Sequence, residues 1–284
     1  MRTNKIHILI ALLIGLSSCN YADFGGMWVV GESVNERFSQ SEEFNATQPQ
    51  QVLHANANAY KISVIADAHV GETANLTKFF TLSKSAGVLA AVLNGDICNG
   101  NDYDYENLKS ALPDTADLKY FMLAGNHELY FGGWEHFSKA FGSSAYYFTV
   151  KSGTETDLFI CLDTGSGTLG SRQLEWFKEV LNDIRPAHRH CVVFTHNNLY
   201  RIRKTASTNP VQEELQVLTD LFARHNIGMV INGHDHLRNV LEFGKTTHIT
   251  MDAAFDGFEK ASYLTLTIDN NGVGYEFNEL APNP

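Results

Sequence analysis

The chain is poor in proline and cysteine and has no surplus of positive charge: 6 Pro and 4 Cys in 284 residues, with 21 Lys plus Arg against 32 Asp plus Glu. With 44% hydrophobic residues and 22 Gly, the composition excludes a fibrous or disordered chain. The net charge of -11 argues against a general binder of nucleic acid or anionic membrane, since no basic excess steers it there. Internal repeats and low-complexity tracts are absent, as is any linker that would divide independent domains. Neither a Gly-x-Ser-x-Gly elbow nor a P-loop is present, which removes the serine-hydrolase reading and the usual nucleotide-triphosphatase reading.

Long apolar runs are missing too, apart from residues 6–16 near the start. That run is too short to span a bilayer, and it follows Arg2 and Lys5, as in an export signal. Leu16-Ser17-Ser18-Cys19 resembles the bacterial lipoprotein box, in which cleavage before the cysteine precedes its lipidation; an ordinary signal with a chance cysteine is the other reading. The expected division is a signal over 1–18, a leader or tether over 19–59, and a domain over 60–284. Losing 1–18 removes two positive and no negative charges, so -11 becomes -13. A lipid-anchored protein of the bacterial cell envelope is expected, with no protein partner. If Cys19 carries lipid, Cys98, Cys161 and Cys191 remain, each in or beside an apolar run, and no disulfide framework is predicted.

Residues 20–59 are polar and weakly patterned, and read as a leader with short turns. Strands are predicted at 60–66, 88–93, 120–124, 146–150, 158–162, 191–195 and 228–231, with a terminal hairpin over 263–277 turning at Asp269-Asn270-Asn271-Gly272. Leu174, Phe177, Leu181 and Ile184 share one helical face. Asn209, Pro210 and Gln212 read as N-cap, first-turn proline and capping-box partner of another helix. The alternation predicts an α/β layered fold.

The polar residues at the strand ends carry the chemistry. Five successive strands end in Asp67-Ala68-His69, Gly95-Asp96, Gly125-Asn126-His127-Glu128, Thr195-His196 and Gly233-His234-Asp235-His236. Ligands of α/β sheets collect beyond the carboxyl ends of strands, so these groups can converge on one crevice. Alternation along an extended segment would put Asp67 and His69 on one side. Imidazole with carboxylate suits Mn, Fe or Zn, whereas an all-oxygen set would point to Ca or Mg. Asp96 is the natural bridge between two ions, and Asn126 offers a neutral amide oxygen. Gly95, Gly125 and Gly233 ease the backbone where side chains converge.

This ordered set resembles the calcineurin-like metallophosphoesterases over about residues 60–280. The resemblance implies a four-layer α/β/β/α sandwich with mixed sheets and a centre of two divalent ions. One ion would be held by Asp67, His69 and His236, the other by Asn126, His196 and His234, with Asp96 bridging. His127 would face the substrate as general acid for the leaving oxygen or as a donor to the transition state. Glu128 would orient it or fix the loop, or is simply an acid at a helix start. The implied reaction is attack of a metal-bridging hydroxide on a phosphate ester. The segment Leu162-Asp163-Thr164 through Trp176 is similar to that of the cyclic-nucleotide phosphodiesterase-like and acid-phosphatase-like members. Asn99 stands where purple acid phosphatases place a tyrosine ligand, so no tyrosinate ligand is expected. Asn197 and Asn198 follow His196 where many relatives have proline.

Substrate choice is less marked: a small phosphate ester or a nucleotide. Arg201, Arg203 and Lys204 could bind a further phosphate or form a solvated basic loop. Tyr130, Phe131 and Trp134 could wall a pocket or pack a short helix, with packing favoured for Trp134. The alternatives are a phosphodiesterase acting on cyclic or other nucleotides, and a non-catalytic surface module that keeps the fold.

Overall fold

The structure is a computed structural model that describes residues 31–200, 208 and 210–280. In chain order the elements are α1 (Val34–Thr47), β1 (Val52–Ala55), β2 (Tyr60–Ile65), α2 (Ala74–Ser85), β3 (Ala90–Asn94), α3 (Asp102–Ala111), β4 (Lys119–Leu123) and α4 (Gly133–Phe141). There follow β5 (Tyr146–Ser152), β6 (Glu155–Cys161), α5 (Gly170–Glu179), β7 (Cys191–Phe194), α6 (Gln212–Arg224), β8 (Met229–Asn232), β9 (Asn239–Phe243), β10 (Thr246–Thr250), β11 (Ser262–Asp269) and β12 (Gly272–Glu279).

The central strands are continuous apolar runs because both their faces are covered. One sheet has seven strands in the order β1-β5-β6-β7-β8-β10-β9, the other five in the order β12-β11-β2-β3-β4. Both are mixed: β2, β3 and β4 run parallel, while β11 pairs antiparallel with β2 and β12. Between the sheets lie Ile62, Val64, Val92, Leu123, Phe194, Ile231 and Leu264, all with no exposed surface. Phe121 of the small sheet stacks on Phe148 of the large one at 3.7 Å between centroids, and Phe148 stacks on Phe159 at 4.9 Å. Burying each such side chain contributes about 1.5–3 kcal/mol. The outer face of the small sheet packs with Phe79, Leu108, Trp134 and Phe137 of α2, α3 and α4. The outer face of the large sheet packs with Phe177 of α5 and Leu218 and Phe222 of α6. The layers are therefore helix, sheet, sheet, helix.

The leader differs from its sequence reading. Residues 34–47 form a 14-residue helix, capped by a box in which Ser33 and Glu36 bond each other's backbone N–H. Its buried residues are Arg37, Phe38 and Ser41, so two polar side chains sit on the inward face and the helical period does not show. Arg37 forms a buried bidentate pair with Asp163, its Nε 2.9 Å and Nη2 3.2 Å from the carboxylate oxygens. The second half of the face predicted over 174–184 leaves the α-helix as a π turn over Val180–Ile184. Helix α6 begins at Gln212 with Val211 as its N-cap, and Asn209 lies outside the described residues. Cys98, Cys161 and Cys191 are buried and unbridged. Among the described residues, no helix is long and apolar enough to cross a membrane.

Candidate metal centre

The strand-end segments meet at one edge of the sandwich. Backbone bonds carry the pairing past the strands: Asp67 N–H to Gly95 O at 3.1 Å, His69 N–H to Asp96 O at 3.0 Å, and Gly233 N–H to His196 O at 3.0 Å. Asp67 and His69 do not project from an extended segment, as alternation suggested. Their φ angles are +52° and +43°, and Asp96, His234 and His236 are also left-handed at +49°, +72° and +54°. Strain of this kind costs on the order of 1–3 kcal/mol per residue and persists where the surroundings enforce it. Left-handed turns, not pleating, converge these side chains. Gly95 shares the conformation at +83°, whereas Gly125 is required by proximity: a Cβ there would collide with the Asp96 carboxylate.

Three donor groups result, each with its ligand atoms within 4.8 Å of one another: Asp67, His69 and His236; His69, Asp96 and His127; and Asp96, His196 and His234. The first is the donor set that the resemblance implied for one ion, the third holds His196 and His234 of the set implied for the other, and Asp96 belongs to two of the three groups. Asp67 Oδ1 is 3.2 Å from His236 Nε2, and Asp96 Oδ2 is 3.0 Å from His196 Nε2. The two outer groups are also close to each other, with Asp67 Oδ1 3.9 Å from His196 Nε2.

Hydrogen bonds fix which nitrogen each imidazole offers. His69 Nδ1 bonds Asn99 Oδ1 at 3.1 Å, and His196 Nδ1 bonds the Asn94 carbonyl at 3.0 Å. Both acceptors take an N–H from Nδ1, which leaves Nε2 as the nitrogen each ring turns toward the carboxylates. His234 gives the opposite tautomer, since its Nε2 donates to Thr208 O at 3.1 Å. Asn126 Oδ1 is buried without a hydrogen-bond partner among the described residues. Imidazole nitrogens turned inward, two carboxylates and an orphaned amide oxygen are a donor set that suits divalent cations, which would displace the protons the imidazoles share with the carboxylates.

Burial is the largest influence on both carboxylates and raises their pKa, yet the opposing histidines outweigh it. His236 and His196 hold Asp67 below the usual carboxylate range, and His196 with His127 hold Asp96 well below it. Burial also works against the charged form of His196, but Asp96 and Asp67 overcome it and raise its pKa to about 10. Burial and the neighbouring His127 push His69 down to about 3.

His127 stands at the mouth, 24% exposed, against 12% for His69 and none for His196. Its ring lies 4.4 Å from that of His69, and its backbone N–H donates to Asp96 Oδ1 at 2.8 Å. Glu128 points the other way. Fully buried, its carboxylate accepts the N–H groups of Asp96 at 2.8 Å, Cys98 at 2.8 Å and Gly125 at 2.7 Å, clamping the loops after β3 and β4 together. Burial and the charge of Asp96 raise its pKa to about 7.

Several contributors escaped the sequence reading. Thr164 Oγ1 accepts the N–H groups of His196 at 2.9 Å and Asn197 at 3.0 Å, and Asn198 Nδ2 donates to Asp235 at 3.1 Å. Phe255 places its ring 6.2 Å from His69 and 6.0 Å from His236. Thr164 was noticed only as part of a segment resembling two family subgroups, with no role assigned, and Phe255 gave no signal. Tyr130 packs its ring 4.7 Å from His127, while Trp134 is 2% exposed in the helix-side core. Arg201, Arg203 and Lys204 lie outside the described residues.

Three solved structures share the fold. The first, GAP50, described as the anchor in the inner membrane complex of Plasmodium, is 15% identical over 78% of this chain and 84% of its own, with a TM-score of 0.57. A dimetal phosphatase from Danio rerio is 13% identical over 78% and 99%, with a TM-score of 0.54. A phosphatase from Mycoplasma pneumoniae is 12% identical over 79% and 94%, with a TM-score of 0.50. No curated protein matches the chain. The family model described as calcineurin-like phosphoesterase matches residues 60–238, a span that contains every donor of the three groups. With that match over more than half its length, and two metal-binding clusters at the strand ends, the chain belongs to the calcineurin-like phosphoesterase family, whose metal-dependent phosphate-ester chemistry its centre is built for.

Proposed function

We propose that the protein is an exported phosphohydrolase acting on a small phosphate ester of nucleotide type. The observation that carries the reading is the intact set of donor clusters, the two outer ones joined through His69 and Asp96 of the middle one. A fold kept only as a scaffold has no reason to retain every donor, so the non-catalytic alternative loses its main support.

Asp67, His69 and His236 would hold one ion, Asn126, His196 and His234 the second, and Asp96 both. When bound, two divalent ions supply Lewis acidity at the phosphoryl oxygens and a nucleophile at neutral pH. The remaining work belongs to side chains. His127, the most exposed of these imidazoles, is placed to donate a proton or hydrogen bond to the leaving oxygen. Tyr130 and Phe255 flank the His127–His69 pair with apolar surface, which favours a leaving group with a planar face.

Initial rates on p-nitrophenyl phosphate, bis-p-nitrophenyl phosphate, a cyclic nucleotide and a nucleoside monophosphate test the reading and choose the subgroup. If His127 serves the leaving oxygen, His127→Ala lowers turnover of the nucleoside ester by about 10²–10⁴-fold and of p-nitrophenyl phosphate far less, because p-nitrophenolate leaves unaided. Equal losses on both would remove His127 from that role.

The division into a signal over 1–18, a leader over 19–59 and a catalytic domain over 60–284 belongs to the same proposal, with Cys19 lipidated and the domain held at a bacterial membrane. The sequence Leu16-Ser17-Ser18-Cys19 supports it. Cys19→Ser should then release the protein from the membrane fraction. Retention there would contradict the anchor.

A further inference from the structure

Asn126 is the one asymmetric donor of the centre. Its Oδ1 can ligate a cation, whereas its Nδ2, whose lone pair is delocalised into the amide, cannot. With Oδ1 on a cation, the Nδ2–H group needs an acceptor in a place where Asn126 is only 3% exposed. That acceptor is Tyr130: Asn126 Nδ2 donates to the Tyr130 hydroxyl at 3.0 Å, while Oδ1 is the end without a hydrogen-bond partner among the described residues.

The backbone aims Tyr130 at this point. The short helical turn His127–Gly132 breaks at Tyr130, where φ and ψ are -67° and 152°. Phe131 and Gly132 follow in the left-handed region, with φ of +56° and +74°. Gly100 closes against the turn so tightly that a Cβ there would lie 2.6 Å from the Tyr130 carbonyl. The strained Phe131 is thereby held, and the Tyr130 ring lies back over His127.

On the dimetal reading given above, we propose that the Tyr130 hydroxyl is a positioning group, holding the Asn126 amide with Oδ1 toward the Asp96, His196 and His234 cluster and so setting the affinity of the second ion site. Tyr130 is then needed whatever ester is bound. Replacing it by phenylalanine keeps the ring and removes the acceptor. Each time Oδ1 meets the cation, the Nδ2–H group faces hydrocarbon.

Calorimetric titration of the chelator-stripped protein with Mn²⁺ tests this on the wild type, Tyr130→Phe, Asn126→Asp and the double variant. Tyr130→Phe should weaken one of two binding steps by about 10–100-fold and leave the other within about twofold. In the Asn126→Asp background both side-chain oxygens can ligate and no N–H needs an acceptor. Adding Tyr130→Phe there should change the same step by less than about threefold. Equal losses in both backgrounds would make Tyr130 a packing residue and overturn the proposal, as would unchanged binding or equal weakening of both steps. A wild-type stoichiometry below two would instead overturn the dimetal reading on which it rests.

Discussion

His248 shows how the interior sets the chemistry of a single residue. It sits on β10, 5% exposed, with its ring 4.8 Å from that of Tyr200, and its Nδ1 has no hydrogen-bond partner among the described residues. Burial lowers its pKa from 6.5 to about 4. The unfolded chain therefore binds a proton on this residue across that window and the folded chain does not. Stability is unaffected by this group above the unfolded value. It falls with pH between 6.5 and 4, by about 3 kcal/mol in all, and not further below. Denaturant unfolding of the wild type and His248→Gln over this range should show the shallower pH dependence in the variant; parallel curves would contradict the assignment. At this scale the sequence was most informative where a residue's chemistry is rare. Five motifs named every donor of the three clusters, because His and Asp gathered at the ends of successive apolar strands have few other uses. The residues that orient those donors, Asn99, Thr164 and the Asn94 and Thr208 carbonyls, are common types, and only the folded path brings them there.

Helix α1 carries the argument at the scale of an element. Arg37 and Asp163 are 3% and 2% exposed, and the guanidinium also donates to Ser166 at 3.0 Å and to the Glu32 carbonyl at 3.0 Å. Trp134 Nε1 donates to Gln40 at 2.6 Å, which ties the same helix to α4. Asp163 directly precedes Thr164, whose hydroxyl holds the His196 backbone, so the helix braces a ligand loop at one remove. Arg37→Ala leaves a buried carboxylate unpaired and should cost about 3–5 kcal/mol of unfolding free energy, read from denaturant midpoints. A loss below about 1 kcal/mol would mean that the helix is only loosely applied. The buried strands with a plain apolar run were visible in advance, β2, β3, β7 and β8 among them. Strands β1, β9 and β10 were not: β1 has no fully buried residue, β9 mixes Asn and Glu with its apolar residues, and β10 is mostly threonine and histidine. Helix α1 was hidden for a related reason, two of the three buried residues on its inward face being polar.

For the whole molecule, periodicity predicted layers of helix and strand. The partition into two sheets came only from family resemblance, and the return of the terminal hairpin, whose β11 pairs with β2 and β12 with β11, was not predicted at all, since strand order leaves no local trace. What the layering achieves is placement: parallel strands from both sheets end at one edge, so donors more than 160 residues apart, such as Asp67 and His236, come within 3.2 Å. The central claim is that this edge is a two-ion hydrolytic centre. Its most direct test is to strip the protein with chelator, add back Mn²⁺ stepwise, and follow bound metal together with phosphate released from a nucleoside monophosphate. The account predicts two ions per chain and a rate that rises with the second of them. A full rate with one ion bound, or no hydrolysis of any ester in the panel with both in place, would contradict it.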